Sequence, residues 1–250
     1  MKKIIITTRC LPDEPWAEVL AISEPRFSEY AERHGYDFSP VWYGGLNVRF
    51  NHVFHHPEAF IEGVINYDLR KDFILWNRDR TMLAPNWLRY AWTIQLLETY
   101  DLVVYADADL LLVDLRDDIA EGFPGDRWIA NSVPQNENGG GPSGCLYMTR
   151  KCPESISFWW KVWLGQLWKV HPMWTDGVDY MDLLGYSVLP PVRKVRSSEY
   201  DKVWWNFGEC WATYWKEEKI EGVKAYHIAG GNGNPSGKAA KMREILKVCG

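Results

Sequence analysis

The run Leu102, Val103, Val104, Tyr105, Ala106 lies between the polar pair Tyr100 and Asp101 and a second polar position, Asp107. It is short and rich in β-favouring residues, so it predicts a buried strand of a parallel sheet. A second apolar run starts at Leu110. Residues 3–8 predict the first strand and residues 37–42 the second. Between them, Ser23 as N-cap, Pro25 in the first turn and Gly35 at the close predict a helix. Leu88, Trp92 and Leu96, with Tyr90 and Leu97 beside them, form a helical stripe over 86–99 that feeds the run at 102. The resulting order is β-α-β. Residues 130–133 and 145–149 predict further strands, separated by the Asn- and Gly-rich stretch 135–144. Residues 153–169, 176–184 and 237–248 predict helices. Residues 43–83 show mixed charge, aromatics and little periodicity, and read as helical turns and loops. No internal repeat, heptad run or low-complexity linker is present, and 250 residues suffice for one α/β domain spanning 1–250.

Asp107 and Asp109 leave the apolar run one residue apart, at the carboxyl end of a strand, where parallel sheets bind their ligands. Two carboxylates there are a costly concentration of like charge unless a cation sits between them. Hard divalent ions with oxygen ligands are the usual solution, and the natural job of such an ion is to hold a diphosphate. The pair alone is a weak indicator, because solvated acidic turns share its spacing. The continuation through Leu110 to Asp117, Asp118 and Ile119 extends the pattern. The whole stretch resembles the apolar-strand, Asp-x-Asp, apolar-strand, Asp-Asp-Leu/Ile arrangement of GT-A glycosyltransferases. It is most similar to the retaining glycogenin-like and lipopolysaccharide galactosyltransferase groups and to the galactomannan galactosyltransferase and xyloglucan xylosyltransferase groups. Tyr30, Ala31, His34, Gly35 and Tyr36 also resemble the Tyr-Ala-x-x-His-Gly-Tyr segment of the galactomannan group.

The resemblance implies the GT-A nucleotide-diphospho-sugar transferase fold, a Rossmann-like α/β architecture whose mostly parallel central sheet carries helices on both faces. It implies retaining transfer of a sugar from a UDP-hexose to a saccharide or lipid-linked acceptor, with Mn²⁺ or Mg²⁺ held by Asp107, Asp109 and His227. His227 opens a His-x-x-Gly run ending at Gly230, similar to the family's third metal ligand. A lone histidine is otherwise more often a satisfied core or surface residue. The Gly-rich loop from Gly230 to Lys238 runs into a helix and offers N–H groups to phosphate. Glycogenin-like enzymes place Lys where this chain has Gly233, so the diphosphate role of Lys238 is open.

Thr7, Thr8 and Arg9 end the first strand, where the resembling enzymes hold nucleobase and ribose; the threonines equally suit an ordinary strand. Ser143 and Gly144 match a strand that lines the donor sugar, although Pro142 replaces the family's Asn and supplies no amide. Asn136 and Asn138 are nearby alternatives. Asp176 falls at the separation where lipopolysaccharide galactosyltransferases carry Asp-Gln, with Gly177 in place of Gln. It is a candidate at the sugar face or a helix cap, and Asp179 is its alternative in a shifted register. Arg89, in Trp87, Leu88, Arg89, resembles the Trp-x-Lys of the xylosyltransferase group and is a candidate cation beside the leaving diphosphate, or else a solvated helix-face arginine.

A formal net charge of -5 and an isoelectric point near 5.7 give no basic field, which argues against nucleic acid as a partner. Five cysteines without C-x-x-C spacing fit free thiols in a reducing compartment. The start Met1, Lys2, Lys3 precedes only a few apolar residues, too few for a signal peptide or transmembrane segment, so the expected location is cytoplasmic. Eukaryotic members of the galactosyl- and xylosyltransferase groups are usually anchored in the Golgi membrane, so the chain looks like a bacterial, archaeal or viral relative or a trimmed catalytic domain. Of fifteen tryptophans most are assigned to packing, with Trp174, Trp204 and Trp205 as candidates for sugar stacking. The loop before Lys238 fails as a Walker A site at Asn232 and Ala239 and as a dinucleotide fingerprint at Ser236, and a serine-hydrolase elbow at Ser143 fails at Cys145. His52, His55 and His56 have helical spacing that suits zinc, but only Glu58 stands near as a partner. Two rival readings remain: a Trp-rich, Ca²⁺-dependent carbohydrate-binding protein, and a metal-dependent nucleotidyltransferase, which should carry a basic Gly-rich loop early in the chain.

Overall fold

The computed structural model describes residues 1–9, 16–42, 83–131, 144–165, 204–215, 217–228 and 235–249. In chain order these form β1 (Lys3–Arg9), α1 (Ala17–His34), β2 (Asp37–Trp42), α2 (Leu83–Leu97), β3 (Leu102–Ala106), β4 (Leu110–Leu112) and β5 (Ile129–Asn131). They continue with β6 (Leu146–Arg150), α3 (Pro153–Gly165), β7 (Trp204–Asn206), β8 (Thr213–Tyr214), β9 (Ala225–His227) and α4 (Pro235–Cys249). The central sheet has six strands in the order β2-β1-β3-β6-β5-β7. β1 pairs parallel with β2 and β3, and β5 pairs parallel with β7. Only β6 runs against its neighbours, so the sheet is mostly parallel, as expected.

Alternation along the central strands divides the core between two faces. Ile5, Val104 and Ala106 pack with Phe27, Tyr30 and Ala31 of α1. On the opposite face Tyr105 stacks on Tyr147, Tyr147 on Trp159 of α3, and Trp159 on Tyr90 of α2. Helices therefore cover both sides. A smaller sheet, β4-β9-β8, sits beside the first. Leu110 and Leu112 of β4 belong to the main core, while Leu111 packs with Val19 of α1 and with Ala239, Met242 and Ile245 of α4. Burial on both faces of β4 explains its unbroken leucines, each worth about 1.5–3 kcal/mol when fully buried. No described helix is long and apolar enough to cross a membrane.

The boundary that differs most from expectation is the start of α1. The helix expected to open at Ser23 begins at Ala17, with Trp16 at the N-cap position. Ser23 is buried inside it and donates to the Val19 carbonyl at 3.3 Å, and Pro25 lies within the helix on its exposed side. Packing of Val19 against α4 extends the helix past the residues that would otherwise stop it, and outweighs the hydrogen bond Pro25 forfeits. Gly35 closes the helix as expected, at φ 67°, a left-handed conformation that glycine adopts without strain.

The two motif segments lock together. Tyr30 Oη accepts the Ile119 N–H at 2.6 Å and donates to the Asp117 carbonyl at 3.1 Å. A ring nitrogen of His34 lies 2.8 Å from the Leu115 carbonyl, and Tyr36 Oη donates to Asp118. Lys3 Nζ holds the other Asp118 oxygen at 2.9 Å. Burial raises the Tyr30 pKa above its ordinary value, so its hydroxyl stays protonated and keeps donating. Tyr30→Phe orphans the buried Ile119 N–H and should lower unfolding free energy by about 1–3 kcal/mol, measured by urea titration. An unchanged urea midpoint would show that this lock is dispensable.

Candidate metal centre

β3 and β4 belong to different sheets and are joined by Asp107, Ala108 and Asp109. The Asp107 N–H donates to the Cys145 carbonyl at 2.7 Å, which carries the β3–β6 pairing one residue past the strand. The Leu110 N–H donates to the Asp107 carbonyl at 3.0 Å and closes a tight turn. The Ile228 N–H fixes the Asp109 carbonyl at 3.0 Å. His227 ends β9 directly opposite Leu110. The crossing from one sheet to the other therefore brings Asp107, Asp109 and His227 together, each offering one ligand atom within 4.8 Å of the others.

Each carboxylate has its own cation. Asp107 Oδ1 accepts the Tyr105 hydroxyl at 2.6 Å and Arg89 Nη1 at 3.2 Å. The same Nη1 donates to the Gly144 carbonyl at 2.8 Å. Arg89 is 0% exposed, so the reading of it as a solvated helix-face residue is overturned. Its guanidinium lies between two aromatic rings, 4.9 Å from the centroid of Tyr105 and 5.4 Å from that of Tyr90, a setting that compensates part of its desolvation. Asp109 Oδ2 accepts Lys238 Nζ, and Asp109 Oδ1 lies 3.5 Å from His227 Nε2. Lys238 stands in the first turn of α4, where the helix dipole disfavours a cation, and Asp109 and the Trp16 ring 5.3 Å away offset that cost.

Burial pushes the Asp107 carboxyl up, and Arg89 reverses this only in part. Burial acts in the same direction on Asp109, but His227 and Lys238 outweigh it and hold that carboxyl down at about 2. Burial alone would lower His227; Cys145 and Asp109 more than offset it, and the imidazole lies well above its ordinary pKa. Asp109 is thus the firmly ionised member of the pair.

The arrangement fits a divalent ion. Metal–ligand bonds of about 2.1 Å place donors in an octahedral shell about 3 to 4.2 Å apart, so donor atoms already within 4.8 Å need only a small closure. Two carboxylate oxygens and one imidazole nitrogen suit Mn²⁺ or Mg²⁺.

Of the residues singled out from sequence, Asp107, Asp109, His227, Lys238, Arg89 and the Gly144 carbonyl converge here. Thr7 is buried in β1, with a hydroxyl that finds no hydrogen-bond partner among the described residues. Thr8 and Arg9 end β1, and their side chains lie outside the description. Asp176, Asp179, Ser143, Gly230, Asn136, Asn138, Trp174 and the histidines from His52 to His56 all lie outside the described residues. Trp205 stacks on Phe123, with ring centroids 5.5 Å apart. Tyr105, Cys145 and Trp16 were not anticipated. Tyr105 was detectable, since a strand residue two positions before Asp107 points to the same side; the other two arrive through long-range packing.

No protein-family model and no curated protein sequence matches the chain. Among solved structures, a glycosyltransferase involved in glycosylation of the major capsid of PBCV-1 has the same fold, with TM-score 0.54 and 10% identity over 98% of this chain and 100% of that one. Weaker likenesses include mouse xyloside xylosyltransferase 1, at TM-score 0.47 and 14% identity over 94% of this chain and 98% of that one. The galactosyltransferase LgtC scores 0.46 at 11% identity over 98% of this chain and 95% of that one. The GT-A fold expected from the Asp-x-Asp stretch is therefore the fold of this chain.

Proposed function

We propose that the protein is a metal-dependent glycosyltransferase that moves a sugar from a nucleotide diphosphate donor, a UDP-hexose, to a saccharide or lipid-linked acceptor with retention at the anomeric carbon. The observation that carries this reading is the convergence of Asp107, Asp109 and His227 at the carboxyl end of β3, in a fold shared with a glycosyltransferase. In the reaction the bond from the anomeric carbon to the diphosphate oxygen breaks, and its electron pair stays on that oxygen. The acceptor hydroxyl oxygen forms the new bond, and its proton passes to the departing diphosphate oxygen or to solvent.

Asp107, Asp109 and His227 would hold Mn²⁺ or Mg²⁺, which when bound supplies Lewis-acid stabilisation of charge on the leaving diphosphate. Lys238, which hydrogen-bonds Asp109, is assigned to an oxygen of the same diphosphate. Arg89 acts through Asp107: its burial makes it a positioning residue rather than a direct contact of the leaving group. Thr7, Thr8 and Arg9 are assigned to nucleobase and ribose, and Ser143, Gly144 and Gly230 to the donor sugar and diphosphate.

Asp176 is assigned to the sugar face of the site, with Asp179 as its alternative. Asp176→Asn preserves size and capping ability, so it should lower kcat while changing UDP affinity little, and Asp179→Asn is the control. Near-normal turnover in the first with collapse in the second would reverse the assignment. No effect in either would remove the segment from the mechanism.

The activity is tested with a panel of nucleotide sugars, with and without Mn²⁺, measuring release of the nucleoside diphosphate. Metal-dependent release from one donor supports the reading. Binding of free glycan with Ca²⁺ and no turnover of any donor would favour the carbohydrate-binding alternative, and pyrophosphate release from a nucleoside triphosphate the nucleotidyltransferase.

A further inference from the structure

The ligand-bearing cluster contains its own counter-ions. Lys238 Nζ hydrogen-bonds Asp109 Oδ2, with the two side chains 8% and 9% exposed. Arg89, fully buried, pairs with Asp107. In the forms in which they would ligate a cation, both carboxylates ionised and His227 neutral, these groups carry two negative and two positive charges and sum to zero. A divalent cation entering by itself therefore meets no surplus negative charge, and an ammonium already occupies one of the oxygens it needs. At low local dielectric that repulsion is substantial. The diphosphate of a nucleotide sugar carries two negative charges, so a divalent cation and the diphosphate enter as a neutral pair. The ammonium can then exchange a carboxylate oxygen for a phosphate oxygen.

Resting on the glycosyltransferase reading, we propose that Lys238 is a resident counter-ion that competes with the divalent cation for Asp109 and couples cation uptake to diphosphate uptake, so that neither binds tightly without the other. The fold suits this exchange. Ala239, Met242 and Ile245 anchor α4 on Val19 and Leu111, which fixes the Lys238 backbone and leaves the movement to a flexible four-carbon stem. Trp16, beside Nζ, offers the ammonium a second favourable contact during the exchange.

The test is titration of the full chain with Mn²⁺, followed by electron paramagnetic resonance of the free ion, with and without UDP. Wild-type protein should bind Mn²⁺ weakly alone and much more tightly with UDP, and Mn²⁺ should raise UDP affinity by the same factor. Lys238→Met should strengthen Mn²⁺ binding in the absence of UDP by about tenfold or more and shrink the enhancement by UDP. Lys238→Arg retains the cation and should keep metal binding weak, which also controls for any general effect of substitution on the fold. Equal Mn²⁺ affinity in wild type and Lys238→Met without UDP overturns the competition while leaving the metal centre standing, as does tight binding of Mn²⁺ by the wild type alone. Failure of the wild type to bind Mn²⁺ even with UDP overturns the underlying reading of the centre itself.

Discussion

Asp109→Asn should abolish sugar transfer while the protein remains folded. Asp109 is the more firmly ionised of the two carboxylates in the centre, and it faces both His227 and Lys238. The amide keeps the size of the side chain and can still accept from Lys238, and the backbone bond from Ile228 does not depend on the side chain. The stability cost should stay near about 1–3 kcal/mol, the range for weakening one buried polar interaction. Catalysis has no such substitute, because a neutral amide neither neutralises nor binds a divalent ion as a carboxylate does. A fall in kcat of at least about 10²- to 10³-fold is expected, comparable to removing one strong electrostatic group from an active site. Turnover assays alongside circular dichroism check both halves. Turnover near wild type would remove Asp109 from the centre, and an unfolded protein would show that its role is structural.

Arg89→Met has the second large effect, and of a different kind. The substitution leaves Asp107 with the Tyr105 hydroxyl as a remaining side-chain donor and releases the Gly144 carbonyl just before β6. Removing one partner of a buried ion pair costs about 3–5 kcal/mol, so the melting temperature should fall markedly. If Arg89 also positions Asp107, the folded fraction at low temperature should bind Mn²⁺ and UDP more weakly than wild type. Arg89→Lys retains the charge but lacks the planar fork and its ring stacking, and should recover stability only in part. Unchanged affinity in a destabilised Arg89→Met would confine Arg89 to a structural role.

The centre of the site was legible because its two carboxylates stand between two apolar runs. Such runs on either side of Asp107 and Asp109 require strands buried on both faces, and β3 and β4 are both fully buried. His227 was legible only through resemblance, since nothing local to β9 reveals that its end lies opposite Leu110. The Lys238 contact was hidden for a similar reason: it depends on how α4 docks on α1, a packing between segments far apart in sequence. The start of α1 was misplaced because Ser23 and Pro25 carry local stop-and-start chemistry that tertiary burial of Val19 overrides. The Tyr30, His34 and Tyr36 segment was recognisable as a motif. Its purpose, holding the chain at Leu115 to Ile119, became visible only in three dimensions.

The most direct test of the central claim is calorimetric titration of the protein with UDP in the presence of Mn²⁺ and again after addition of a chelator. The account predicts saturable UDP binding with Mn²⁺ that is lost on chelation and lost in Asp109→Asn. UDP binding that is equally tight in the presence of chelator, or no UDP binding under either condition, would contradict it.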